Sequence, residues 1–250
     1  MKSIRWPGAV AGIVIVTAGL ASFMAMALPL ENDPGGVGTE RTRYIYNEGV
    51  RQVGVSLSNK TRETYLVQAW VRGIDPKTGE VKNEEGPFFL KQPLVKALPD
   101  GRYGYQVIQT RPVMVNDRES LYLLSFKLIP SEEKGGEASY NRANVVLTYN
   151  VKLFYRPTAL KNGKVVEAAK SMTFSRQDNE VQINNPTPYW ITFYSLNIGG
   201  MALPEVTLRQ MVPPFSMATY ALPAAINAST LKWQIIDENG DITKEVTSPL

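Results

Sequence analysis

Ala143-Asn-Val-Val-Leu-Thr-Tyr-Asn-Val-Lys-Leu-Phe-Tyr-Arg-Pro157 alternates with a period of two. Ala143, Val145, Leu147, Tyr149, Val151 and Leu153 are apolar, and Asn144, Thr148, Asn150 and Lys152 between them are polar, with Val146 and Phe154 as exceptions. β-Branched and aromatic residues at that spacing predict an extended strand. From Ala143 to Leu153 it spans about eleven residues, roughly twice the ordinary strand length. It closes at Pro157, which cannot donate to a ladder. A strand this long either runs through the middle of a sheet or offers an edge to something else. Taken alone, the first reading is favoured, because exposed apolar edges invite aggregation.

Working outward, short apolar runs are separated by turn signals. Residues 41–46 end at Asn47-Glu48-Gly49, and Val53, Val55 and Leu57 alternate as far as Asn59-Lys60-Thr61. Residues 65–71 lead to Asp75-Pro76-Lys77-Thr78-Gly79, and 88–90 and 94–95 precede Pro99-Asp100-Gly101. Residues 103–110 and 120–129 are joined by a polar link containing Asn116-Asp117-Arg118-Glu119. No segment from Glu40 to Pro157 holds a 3.6-residue period, so seven or so turn-punctuated strands predict an antiparallel sandwich. Beyond a polar turn at Lys161-Asn162-Gly163-Lys164, the runs 172–174, 181–183, 190–194 and 231–236 make a second all-β stretch. Its turns are Asn185-Pro186-Thr187-Pro188 and Pro213-Pro214-Phe215. The expected fold is all-β, with two sandwich domains over residues 40–157 and 158–250 that meet at Tyr155-Arg156-Pro157.

Residues 1–27 read as a secretory leader. Lys2 and Arg5 precede an apolar centre at 9–20, and Ala25-Met26-Ala27 supplies a small-x-small cleavage site. The 25 uncharged residues from Trp6 to Leu30 could instead anchor the chain in a bilayer. Ala and Gly dominate that run and Pro7-Gly8 opens it, which favours cleavage after Ala27 and export. Residues 28–39, with Glu-Asn-Asp-Pro-Gly-Gly, are expected to be a flexible arm; they lack the spacing of a phosphate-binding loop.

The 27 basic and 23 acidic residues leave a charge of +4, and without Lys2 and Arg5 the balance is 25 against 23. No basic run interleaved with aromatics points to nucleic acid. There is no cysteine and no histidine. Thiolate nucleophiles, disulfides, thiolate or imidazole metal sites and Ser-His-Asp catalysis are therefore excluded. Glu132, Glu133 and Glu137 share a glycine-containing loop and read as solvated charges, without calcium-loop or paired-acid spacing. No catalytic residue, cofactor, metal or small-molecule substrate is expected.

Several motifs, in this order, resemble the periplasmic pilus chaperones of the PapD-like family, which serve chaperone–usher assembly. They are Thr42-Arg43, Tyr65-Leu-Val-Gln-Ala-Trp-Val71, Asp117-Arg-Glu-Ser-Leu121, Lys152-Leu-Phe-Tyr-Arg-Pro157, Asn185-Pro-Thr-Pro-Tyr189 and Ile236-Asp237-x-x-Gly240. The resemblance implies two immunoglobulin-like domains in an L-shaped arrangement and an ATP-independent chaperone of the periplasm. Its implied partners are pilus subunits and an outer-membrane usher. Strand 143–151 would be lent to a subunit that lacks a strand, with Ala143, Val145 and Leu147 filling the subunit groove. Arg43 and Lys152 match the family's pair for the subunit's C-terminal carboxylate, a chemistry suited to a guanidinium fork and an ammonium. Glu119, Arg156 and Asp237 match an interdomain ion-pair network, while Tyr155 and Trp190 read as packing residues. The uncovered strand would also give the free protein a surface for self-association.

Two departures bear on this reading. The loop 131–139 is longer than in the family's short-loop class but lacks the cysteine pair of the long-loop class, so the short-loop class is favoured. The chain stops soon after Asp237 and is expected to omit a final strand. A different class, a two-domain immunoglobulin-like adhesion or ligand-binding module, would bind a folded partner or glycan and ignore trimming of that partner's C-terminus.

Overall fold

A computed structural model of the chain describes residues 35–75, 79–131, 145–160, 164–222 and 228–250. The expected leader, most of the arm, Ala143 and the loop 132–140 lie outside the described residues.

The first domain is built from β1 (Val37–Thr39), β2 (Arg43–Asn47), β3 (Val53–Asn59), β4 (Tyr65–Ile74), β5 (Val81–Glu85), β6 (Phe88–Lys91), β7 (Leu94–Ala97), β8 (Arg102–Gln109), β9 (Ser120–Pro130) and β10 (Leu147–Arg156). One sheet has the order β1-β3-β8-β6, and the other β2-β10-β9-β4-β5 with β7 also on β4. The alternation read in the sequence becomes the packing between them. Leu57, Val67, Tyr105, Val107, Leu124, Phe126 and Leu153 all point inward and are buried. Residues 37–39, expected within the loose arm, instead pair antiparallel with β3, Val37 opposite Asn59. The chain then crosses from one sheet to the other before β2 starts at Arg43. Buried Asn59 fixes a turn nearby: its Nδ2 donates to the Glu63, Ala97 and Leu98 carbonyls at 2.8–3.2 Å.

The second domain contains β11 (Thr173–Gln177), β12 (Glu180–Asn185), β13 (Phe193–Ile198), β14 (Met201–Ala202), β15 (Ser216–Ala221), β16 (Thr230–Ile235) and β17 (Val246–Pro249). Two single-turn helices, α1 (Val165–Ala168) and α2 (Glu205–Leu208), link them. The sheets are β11-β12-β15 and β14-β13-β16-β17, around a core that includes Val181, Ile183, Leu196, Ile198, Trp233 and Ile235. The expectation that the chain omits a final strand is corrected. β17 pairs with β16 from Val246 opposite Trp233 to Pro249 opposite Thr230, and the Trp233 indole donates to Ser248 Oγ at 2.9 Å. Four residues are too few to show a period, so this strand owes its existence to β16 beside it.

A third apolar cluster, Leu121, Phe154, Trp190 and Met211, is shared by the two domains.

Candidate functional site

β10 is paired on one side along its whole length with β9, from Leu147 opposite Leu128 to Tyr155 opposite Ser120. On its other side β2 runs parallel to it only from Lys152 opposite Arg43 onward. Among the described residues, Leu147–Val151 therefore have one unpaired edge. The side chains change character at the same place. Leu153 and Val151 are 0% and 1% exposed, whereas Leu147 and Val145 on the same face are 55% and 63% exposed. The apolar stripe that anchors the strand in the core continues past the core into solvent. Among the described residues, strand pairing begins at Leu147. Val145 and Val146 are described but unpaired, and Ala143 lies outside the described residues.

Arg43 and Lys152 face one another where β2 begins. Residues directly opposite in neighbouring strands project to the same face, so the two cations stand side by side. Arg43 is buried; its Nη1 donates to the Ile236 carbonyl of the second domain at 2.9 Å, and its Nε has no partner among the described residues. Its guanidinium also lies over the Phe154 ring at 5.7 Å. Burial lowers the Arg43 pKa, against which Asp237, Glu119 and Glu238 hold the charge in place. Lys152 is partly buried and forms no hydrogen bond or ion pair with the described residues. Burial, and then the neighbouring Arg43 charge, push the Lys152 ammonium down to about 8. Among the described residues neither cation has a carboxylate within ion-pair distance, and two such cations in a partly dry corner make a site for an incoming anion.

Lys152, Phe154 and Arg156 share the face of β10 that turns toward the second domain. Arg156 Nε and Nη2 bond Glu119 Oε1 at 2.9 and 2.8 Å, and both side chains are buried. Glu119 reaches across the joint. Its Oε2 accepts from the Trp190 backbone N–H at 3.1 Å, its carbonyl from the Trp190 indole at 3.2 Å, and its own N–H donates to the Pro188 carbonyl at 2.9 Å. Burial pushes the Glu119 carboxyl up, and Arg156 opposes that shift.

The second acid at Arg156 is Glu238, at 3.5 Å, whose Oε1 also accepts the Val165 N–H at 2.6 Å. Asp237 meets the first domain at Arg43 and not at Arg156. Its Oδ1 is taken by the N–H groups of Asn239 and Asp241, at 2.8 and 2.9 Å, because the tight turn needs a local acceptor. Asp237 faces Arg43 electrostatically instead. Gly240 closes the turn at φ +95°, and a Cβ there would come within 3.0 Å of Thr42 Oγ1. The turn thus sits directly against the start of β2.

Asn185-Pro-Thr-Pro-Tyr189 is a structural knot. Asn185 Nδ2 donates to the Tyr189 and Pro213 carbonyls, and its Oδ1 accepts from the Thr187 N–H and hydroxyl. This knot presents Tyr189 under the Arg156 guanidinium, 5.0 Å away, and Trp190 to Glu119. Tyr155 is buried in the first core. The structure therefore brings Arg43 and Lys152 together beside the free edge, and Glu119 and Arg156 together at the joint. Sequence reasoning missed Glu238 and the Ile236 carbonyl. The adjacency of two acids in one turn was the available signal for Glu238, and a backbone acceptor leaves none.

Comparison with known proteins places these features. Residues 36–161 match the family model described as pili and flagellar-assembly chaperone, PapD N-terminal domain. Residues 167–247 match that of the pili assembly chaperone PapD, C-terminal domain. The chain is 31% identical over 233 residues to the probable fimbrial chaperone LpfB of Escherichia coli O157:H7, covering 91% of this chain and 96% of that one. It is 30% identical over 232 residues to the chaperone protein FimC of E. coli K12, covering 92% and 90%. Its fold is similar to the solved structure of the Salmonella enterica SafA pilin in complex with the SafB chaperone. That match has a TM-score of 0.75 and 26% identity, over 88% of this chain and 98% of the other.

Proposed function

The chain belongs to the PapD family of pilus-assembly chaperones, and from that premise we propose how its own residues hold a client. The family is one of chaperones and not an enzyme class, and its partners are pilus subunits and the usher. A subunit whose sandwich lacks a strand takes up residues 143–151 as that strand. The observation that carries this reading is the coincidence of two cations, neither paired with a carboxylate among the described residues, with the point where the strand edge becomes free.

The physical roles divide cleanly. Backbone hydrogen bonds along the free edge supply affinity that tolerates many sequences, about 0.5–1.5 kcal/mol net for each. Burying Val145 and Leu147 in a client groove adds about 1.5–3 kcal/mol for each side chain fully covered, and Ala143 continues the same alternation in the sequence. Neither contribution fixes alignment, since a strand can slip by two residues and keep its face. The client's terminal carboxylate, gripped by Arg43 and Lys152, sets that register. It also relieves the repulsion and desolvation that Lys152 bears in the free protein. Glu119, Arg156 and the turn of Asp237 and Glu238 hold the second domain against this corner. The protein works in the periplasm after loss of residues 1–27.

The test is a peptide copied from the last residues of a client subunit, with a free C-terminal carboxylate or an amide. The carboxylate form is expected to bind at least tenfold more tightly, and Lys152→Ala should erase most of that ratio while the protein stays folded. Equal binding of the two forms by the wild-type protein would remove the clamp from the mechanism.

A further inference from the structure

The apolar stripe on β10 does not pass directly from buried Val151 to exposed Leu147. Tyr149 stands between them on the same face, half-buried, packed against the first core with its ring 6.4 Å from Phe126. Its hydroxyl lies 3.2 Å from Thr39 Oγ1. Thr39 Oγ1 already donates its single proton to the Arg41 carbonyl at 2.7 Å, so Tyr149 is the donor. Thr39 ends β1, and residues 40–42 carry the chain across to β2. The phenol therefore ties the crossover of the first strand to the free-edged part of β10, and fixes a ring beneath the place where a client strand would lie.

The register locates that ring relative to the client's end. β2 occupies the track beside β10 from Lys152 onward, parallel to it, with Arg43 opposite Lys152. A client strand whose carboxylate meets these two cations continues the same track in the same direction. Its last residue then lies opposite Val151, and its third residue from the end opposite Tyr149. Residues facing each other in neighbouring strands share a face, so that third side chain points into the mouth of the sandwich, onto the Tyr149 ring.

We propose that Tyr149, locked by Thr39, is a specificity-determining residue that selects clients with a large apolar side chain third from the C-terminus. This rests on the strand-lending reading above. The tether matters because a ring held at both ends presents a fixed surface, and a fixed partner loses less entropy when a side chain packs on it.

A double-mutant cycle tests it. Four fluorescently labelled peptides are made from one client C-terminal sequence, with Phe or Ala at the third position and a carboxylate or amide end. Their affinities are measured for the wild-type protein, Tyr149→Thr and Tyr149→Phe. The wild type should prefer Phe over Ala, and Tyr149→Thr should shrink that preference by about three- to fivefold, the size of an aromatic cross-strand pair. Its preference for carboxylate over amide should stay intact. Tyr149→Phe keeps the ring but unties it, so the Phe preference should shrink less than in Tyr149→Thr, while amide hydrogen exchange at residues 39–42 should speed up as the crossover is untied. An unchanged Phe preference in Tyr149→Thr would overturn the proposal. Loss of the carboxylate preference in the wild type would instead overturn the underlying reading.

Discussion

Lys152 is a charge whose surroundings disfavour it until an anion arrives. Burial and Arg43 hold its pKa near 8, and a carboxylate within contact distance would raise it again. Capture therefore takes up a proton whenever Lys152 starts neutral. Affinity for a client carboxylate should be flat up to about pH 7.5 and then fall by up to about tenfold per pH unit above 8. Folding stability should move the opposite way. The folded-state pKa is depressed, so the unfolded chain binds the proton more readily, and the penalty of the charged form is relieved as pH rises from about 8 towards the ordinary lysine value of about 10.4. Tyr105 and Tyr122, both pushed up to about 12 by burial, work against this only once tyrosines of the unfolded chain ionise near 10. Titration calorimetry and chemical denaturation between pH 7 and 9.5 check both signs. Lys152→Arg should flatten the affinity profile, since a guanidinium does not titrate there. An affinity unchanged from pH 7 to 9.5 in the wild type would mean that the lysine plays no part.

β10 has two halves that one alternation pattern cannot tell apart. Leu153 and Leu147 lie on the same face, yet only Leu153 is inside the molecule's own core. Leu153→Ala should therefore cost about 2–5 kcal/mol of stability through the cavity it leaves. Leu147→Asp should leave the melting temperature within about a degree and abolish client capture, since a carboxylate would be driven into an apolar groove. Melting curves paired with pull-down of a subunit separate the two; a Leu147→Asp protein that still retained its client would show that the stripe is not the contact. The strand and its face were legible in the sequence because alternation is a local pattern. The pairing of Arg43 with Lys152 came only with the family resemblance, since residues so far apart in the chain share no local signal. The start of the free edge was not legible, because it depends on where β2 begins, and that is set by the crossover from β1 in the other sheet. β5, with every residue exposed, and β17, only four residues long, carry no hydrophobic period and form because a neighbouring strand offers them hydrogen bonds. Glu238, and not its neighbour Asp237, is the acid of their turn that reaches Arg156. Only the turn's own hydrogen bonds decide it.

At the scale of the molecule, the two sandwiches have separate cores, and the apolar cluster between them is small. The joint is therefore held largely by polar contacts, with Glu119 at their centre. It binds Arg156 from its own domain while taking two bonds from Trp190 of the other. Because Arg43 is held by the Ile236 carbonyl, the same joint sets the geometry of the cationic corner. Removing Glu119 takes the nearer carboxylate from buried Arg156 and strips the Trp190 N–H of its acceptor, a loss of about 3–5 kcal/mol for a broken buried pair. Both cores stay intact, so the expected result for Glu119→Ala is a split of one calorimetric transition into two. Carboxylate-dependent capture should weaken as well, although no client contact has been touched. Replacing both partners, Glu119→Leu with Arg156→Met, removes the buried charges together and should recover much of the stability, since apolar substitutes for a buried pair are often neutral or better. It should not recover the alignment of Arg43, because a greasy contact fixes position less closely than directed hydrogen bonds do. Unfolding of Glu119→Ala as a single transition at the wild-type temperature would show that the domains are coupled by something other than this carboxylate.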